Sequence, residues 1–323
     1  MTRVVLLRRW RRDHSALDAS IRAAGYDLIV ASDETFDPAA GDVVWINGNV
    51  NWFPRTRSIL KKLSRATRPR TMVWHSEPLP FPRGSGFPQP RLQLREIAKI
   101  ALRDHRATDA YTNFRRIGEL YTGGVLDLCV VTSRSRQAFL RERDIPSAFV
   151  PLGYYPGLGT DLGITRDIDV LFLGAHDDSR HRRAIRYLRS SGISVEAHGS
   201  WTSAATWGDS RTQLINRAKI FLNIQRHAGQ YSGLRMLLGM GNRTMVLSEP
   251  VYDPFPYEPG VHYVSTSLDT MPETILKYLS DESARSAIAD AGHRFVTQEL
   301  TLEKSVNQVL HHMEEMLHSR SSH

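Results

Sequence analysis

Short apolar runs of strand length alternate with helical segments along this chain, and the alternation occurs twice, on either side of one stretch rich in proline and glycine. In the first series the strand-like runs are residues 4–7, 28–30, 43–46, 71–74, 126–131 and 148–150. Helical segments are expected at 15–24, stopped by Gly25, and at 59–63. A third is expected after the loop 81–90 (FPRGSGFPQP), where Leu94, Ile97, Ala98 and Ala101 fall on one helical face. Ser133 is an expected N-cap for the helix after the fifth strand. The second series places strands at 170–173, 193–196, 220–224 and 244–247, and helices at 182–188, 212–216, 234–240, 275–279 and 284–295. A terminal helix carries Leu302, Val306, Val309, Met313 and Met316 at three- to four-residue spacing. Apolar strands separated by helices predict parallel sheets with crossover connections, because a parallel pair cannot be closed by a tight turn. The segment 151–160 (PLGYYPGLGT) marks the change of domain, with a first domain at 1–155 and a second at 156–323.

The length of 323 residues suits two domains, each long enough to bury its own core. The single cysteine, Cys129, excludes an intramolecular disulfide and lies in the apolar run VLDLCVV. It reads as a small core residue rather than a reactive thiol. No run of about 18 apolar residues exists, so no membrane span is expected. The run at 4–7 is too short for the core of a signal peptide, so a cytoplasmic protein is expected. The net charge of +8 favours acidic partners: phosphates, nucleic acid or an anionic membrane surface.

In open α/β sheets ligands gather at the carboxyl ends of the strands, so candidate chemistry is sought there. The first strand ends in Arg8, Arg9, Trp10, Arg11 and Arg12, a local concentration of positive charge. No G-x-G-x-x-G follows it, which argues against a dehydrogenase-type dinucleotide site. The strand at 71–74 ends in His75 and Glu77, one suited to shuttling protons near neutral pH and the other to acting as a general base. The strand at 170–173 ends in Gly174, where backbone can approach a ligand closely. Beyond it come His176, Asp177 and Asp178, too sparse for a metal site, and Arg180, Arg182 and Arg183. In RAKIFLNIQRHAGQYSGLRMLLGMGNRTMVLSE, residues 217–249, Asn223 ends a strand and a helix opens at Ser232, Gly233 and Leu234. Its first-turn amides suit a phosphate. Arg235 stands where a cation opposes the helix dipole, so a functional role for it outweighs a purely local one.

The ordered set Asn223, Ser232, Gly233, Leu234, Arg235 and the run 239–248 resembles the donor segment of group 1 glycosyltransferases, in particular the spore-maturation (CgeB-like) branch. VPLGYYP is similar to that group's interdomain turn, and DVLFLGAHDDSRHRR to its first C-domain strand. The likeness covers mainly residues 148–300. It implies the GT-B fold: two Rossmann-like α/β domains facing a central cleft, with the C-terminal helix crossing back to the N-terminal domain. It also implies a nucleotide-sugar donor (UDP-, GDP- or TDP-linked) and no required metal. On this resemblance Gly233 and Arg235 would meet the diphosphate, with Arg182 opposite. Gly199 and Trp201 would lie near the nucleobase, and His75 near the donor sugar. Retaining relatives carry two glutamates eight positions apart; here Gln230 and Leu238 stand in those places. Gln230 retains hydrogen-bonding capacity and Leu238 does not, so an inverting route with Glu77 as base is left open beside a retaining one. The acceptor is a small molecule, a glycan, a protein or, given the charge, DNA. A degenerate scaffold that only binds is the non-enzymatic alternative.

Overall fold

The structure, a computed structural model, describes residues 2–9, 15–64, 66–92, 94–102, 104, 109–174, 179–199 and 206–318. The chain divides into two compact units, Met1–Pro151 with Glu303–His323, and Leu152–Leu302. The change of unit therefore falls at Pro151, where the sequence reading placed it at 155, and the terminal helix belongs to the first unit.

The first unit contains β1 (Arg3–Leu7), α1 (Ser15–Ala23), β2 (Asp27–Ala31), β3 (Val43–Asn47), α2 (Pro54–Lys62), β4 (Arg70–His75), α3 (Leu94–Ala101), α4 (Ala110–Thr122), β5 (Leu128–Val131), α5 (Arg134–Arg141) and β6 (Ser147–Phe149). Its six strands run parallel in the order β2-β1-β3-β4-β5-β6. Central strands are buried on both faces, which is why they read as unbroken apolar runs. Helix starts follow local chemistry. Pro54 opens α2, where its missing N–H costs nothing. Asp109 accepts from the amides of Tyr111 and Thr112, and Ser133 accepts from that of Arg136. Leu126, expected to begin a strand, instead joins Val125 in donating its amide to the Leu120 carbonyl, closing the end of α4. Cys129 is fully buried and burial pushes its thiol up to about 12, so it packs rather than reacts.

The second unit contains β7 (Ile168–Leu173), α6 (Ser179–Ser190), β8 (Val195–His198), α7 (Gly208–Asn216), β9 (Ala218–Asn223), α8 (Gly233–Gly241), β10 (Met245–Ser248), β11 (Val264–Ser265), α9 (Met271–Ser280) and α10 (Glu282–Arg294). Its five parallel strands run in the order β11-β10-β9-β7-β8. At the amino ends of these strands Arg166 donates to the carbonyls of Asn216, Ala218, Asn242 and Arg243 and to Thr244 Oγ1. Part of the arginine excess is thus structural. The segment that begins this unit runs beside the segment that ends it. Tyr154 donates its amide to Leu300 O (2.8 Å) and accepts from the Leu302 amide (2.7 Å). Gly153 makes this approach possible, since a Cβ there would lie 2.2 Å from Thr301 O.

The final helix, α11 (Leu302–His318), buries Val306, Val309, Leu310 and Met313, the spacing expected from the sequence. It is tied within the first unit by Arg70, which donates to Met316 O, and by the Tyr26 hydroxyl, which donates to Glu314.

Candidate functional site

The carboxyl ends of β7, β9 and β10 bring together residues widely spaced in sequence. Asn223, the last residue of β9, pairs in register with Ser248 of β10. Its side-chain amide donates to Ser248 Oγ at 3.1 Å and contacts the Met236 sulfur at 3.4 Å. Asn223 Oδ1 and Gln230 Nε2 are buried and have no hydrogen-bond partner among the described residues. Buried polar atoms left in this state are costly and mark a place where a ligand or water completes the site.

Gly174 follows β7 directly. A Cβ at this position would fall 2.5 Å from the Phe172 ring and 3.0 Å from Arg235 Nη2, so only glycine fits. Arg235, in the first turn of α8, donates through Nε to Leu173 O (3.2 Å) and through Nη1 to Ile224 O (2.7 Å). Its guanidinium also lies over the Phe172 ring. An arginine that opposes the local dipole preference is therefore held by the ends of two strands. Ser232 occupies the N-cap of α8 but its hydroxyl makes no capping bond. Gly233 is buried against Tyr231 and Leu234 packs partly on the core. Arg235, Gly174 and the start of α8 thus form one cationic corner.

Of the other expected residues, Arg182 lies on the exposed face of α6, because His181, Ala184, Ile185 and Leu188 take the buried face. Arg180 occupies the strand-end position instead. It donates to both carboxylate oxygens of the buried Glu249 (2.7 and 2.5 Å) and to Gln225 O, while Glu249 also accepts from the Gln225 amide (3.0 Å). The sequence reading grouped Arg180 with its neighbours and did not single out Glu249. The strand-end pairing of β9 with β10 was the missing information. Gly199 is half-buried just past β8, and Trp201 lies outside the described residues, as do His176, Asp177 and Asp178. Leu238 is buried in the core of the second unit, where no ribose hydroxyl can reach it.

In the first unit His75 ends β4 as expected but is fully buried. Burial, and secondarily the Arg136 charge, pushes its pKa down to about 3, with the carbonyls of Gly48 and Glu77 offsetting this only in part. Neither ring nitrogen makes a hydrogen bond of standard geometry. Burial thus favours the neutral ring, against the proton-shuttling role expected from the sequence. Glu77 is half-buried two residues on. In the arginine cluster after β1, Arg8 is neutralised by two bonds to Asp18 (2.7 and 3.0 Å) and Arg9 lies over the Trp52 ring. Trp10, Arg11 and Arg12 lie outside the described residues. Among the described residues there is no group of three or more side chains arranged to hold a metal. No described helix is long and apolar enough to cross a membrane.

Residues 180–311 match the family model of glycosyl transferase-like proteins. A comparison with curated proteins finds no match. Among solved structures, HepE of Anabaena in complex with UDP and glucose superposes with a TM-score of 0.61 at 10% identity, covering 98% of this chain and 100% of that one. Sucrose-phosphate synthase from Thermosynechococcus elongatus gives 0.62 at 11% identity, covering 99% of this chain and 100% of that one. TarM gives 0.58 at 10% identity over 84% of this chain, which spans 54% of TarM's own length. The fold is that of the GT-B glycosyltransferases. Within it, residues 180–311, which include α6, α8 and the strand ends described above, form a glycosyl transferase-like region.

Proposed function

We propose that this chain is a glycosyltransferase that moves a sugar from a nucleoside-diphosphate donor to an acceptor, with the donor diphosphate at the cationic corner of the second unit. The observation that carries this reading is Arg235, oriented by Leu173 O and Ile224 O beside Gly174 and the uncapped first turn of α8. A planar guanidinium and helix amides are a matched pair of donors for pyrophosphate oxygens. Charge developing on the leaving nucleoside diphosphate would be stabilised there, the main catalytic term in such a transfer. Asn223 Oδ1 and Gln230 Nε2 supply unfilled polar positions for sugar or ribose hydroxyls.

The UDP complexes of HepE favour a UDP-linked sugar over GDP- and TDP-linked ones. Buried Leu238 favours a ribose contact different from the paired-glutamate pattern of retaining enzymes. Glu77 is the base proposed for an inverting route. The test is a thermal-shift panel of UDP-, GDP- and TDP-sugars with donor-hydrolysis assays. A donor that binds only the native state raises the melting temperature in proportion to ln(1 + [L]/Kd). Stabilisation together with hydrolysis supports the transferase. Stabilisation without turnover supports a scaffold that only binds. Absence of any shift refutes the donor site.

A further inference from the structure

The second unit has a cavity of about 510 Å³ at the amino ends of β7, β9 and β10, opposite the strand ends that carry the cationic corner. The volume suits a small molecule. Three arginines line it, and their charges are answered unequally. Arg243 is doubly paired, with Asp290 (2.6 Å) and with Asp161 (3.1 Å). It follows α8 where the Arg243 amide donates to Met240 O and the Thr244 amide to Gly239 O, and its φ is 52°. Glycine is the usual residue in that closing turn, so an arginine there is explained by its side chain and not by its backbone. Lys219, also in the wall, is paired with Asp169 at 2.6 Å.

Arg285 and Arg166 have no such partner. The Arg285 side chain, in α10, is only 9% exposed. Its Nη1 donates to Tyr278 O (2.7 Å), while the Glu282 carboxylate stands 3.9 Å from its Nη2, beyond hydrogen-bond reach, on a side chain 85% exposed. The hydrogen bonds of Arg166 go to four carbonyls and one hydroxyl, all neutral. Burial pushes the Arg166 pKa down; the charges of Arg243 and Arg285 add to this and that of Asp161 opposes it. Two guanidinium charges thus share one cavity wall with no carboxylate bonded to either, an arrangement that favours entry of an anion. We propose that this cavity binds a small phosphorylated solute, its phosphate bonded by Arg285 and attracted by the Arg166 charge. A planar guanidinium suits phosphate oxygens, and the exposed Thr165 and Ser286 hydroxyls at the rim suit a polar remainder. A cation does not fit, because both aspartates are taken by Arg243. The site lies apart from the transfer chemistry and does not rest on the transferase reading.

The test is a phosphorus NMR titration of the full chain with inorganic phosphate and with glycerol phosphate, at constant ionic strength. Wild type is expected to broaden both signals saturably. S286E places a carboxylate at the exposed rim, where it repels phosphate and competes for Arg285. This variant and R285Q are each expected to weaken binding about tenfold or more, with melting temperatures showing that both are folded. Binding is expected to persist in R235A, altered at the cationic corner. The proposal is overturned if wild type shows no saturable broadening, or if S286E and R285Q bind as wild type does. Binding lost in R235A but kept in S286E overturns it as well, since the phosphate would then sit at the cationic corner. A sugar-donor panel without any shift refutes the donor site and leaves these outcomes unchanged.

Discussion

Arg180, in the first turn of α6, holds Glu249, the residue after β10, through two hydrogen bonds of 2.7 and 2.5 Å, and the same carboxylate accepts from the Gln225 amide after β9. One ion pair thus fixes the ends of two strands and the start of a helix. The Glu249 side chain is almost wholly buried and that of Arg180 largely so. Removing one partner of such a pair leaves an uncompensated buried charge. Arg180→Met is therefore expected to cost about 3 kcal/mol of stability, while R180M/E249L recovers most of the loss because neither charge remains. Urea unfolding midpoints of R180M, E249L and R180M/E249L measure this. Equal midpoints for R180M and wild type would show that the pair is not structural.

Arg235→Ala is expected to lower donor turnover at least about tenfold, a loss of ~1.4 kcal/mol of transition-state stabilisation. Arg235→Lys is expected to rescue little. A single ammonium cannot reproduce the planar fork that reaches Leu173 O and Ile224 O while facing a diphosphate. Steady-state kinetics on folded variants, with melting temperature as control, measures this. Wild-type turnover in R235A would remove Arg235 from the site.

Most of the fold is legible in the sequence because buried parallel strands leave continuous apolar runs and glycines or caps punctuate them. Gly25 ends its helix region and Ser133 caps α5 as expected. α4 is the helix that reading missed. Its signal was present in the Asp109 cap and the spacing of Ile117 and Leu120, but the apolar run beginning at Val125 drew attention to the strand. The site was legible where one residue type constrains geometry, as at Gly174 and Arg235. It was not legible where partners come from different strands. Glu249 gains meaning only when β10 lies beside β9, and the local basic run gave no way to prefer Arg180 over Arg182. The burial of His75 was equally invisible, since a strand end is exposed or covered according to what packs on it.

Gly153 faces the Thr301 backbone so closely that a methyl group has no room. Gly153→Ala must separate the segments that begin and end the second unit, stretching the bonds between Tyr154 and residues 300 and 302. Overpacking of this kind costs about 1–3 kcal/mol, and the contact is with backbone that cannot rotate away, so the upper part of that range is expected. Chemical denaturation of G153A against wild type reads the loss. An unchanged midpoint would mean that the two segments separate without cost.

His75 gives the pH dependence its sign. The folded ring titrates near pH 3, because burial and the Arg136 charge oppose protonation, and the unfolded ring titrates near its ordinary value of about 6.5. Between these values the unfolded chain binds a proton that the folded chain refuses. Stability from this group is complete above about pH 6.5 and falls as pH drops toward 3, with a slope of at most about 1.4 kcal/mol per pH unit. His75→Leu removes the titrating group while filling similar space, so its stability should fall less steeply between pH 6 and 4 than that of wild type. Unfolding free energies of the two proteins across that interval decide the matter. Parallel pH profiles would show that the ring is protonated in the folded state after all, and would restore it as a proton carrier.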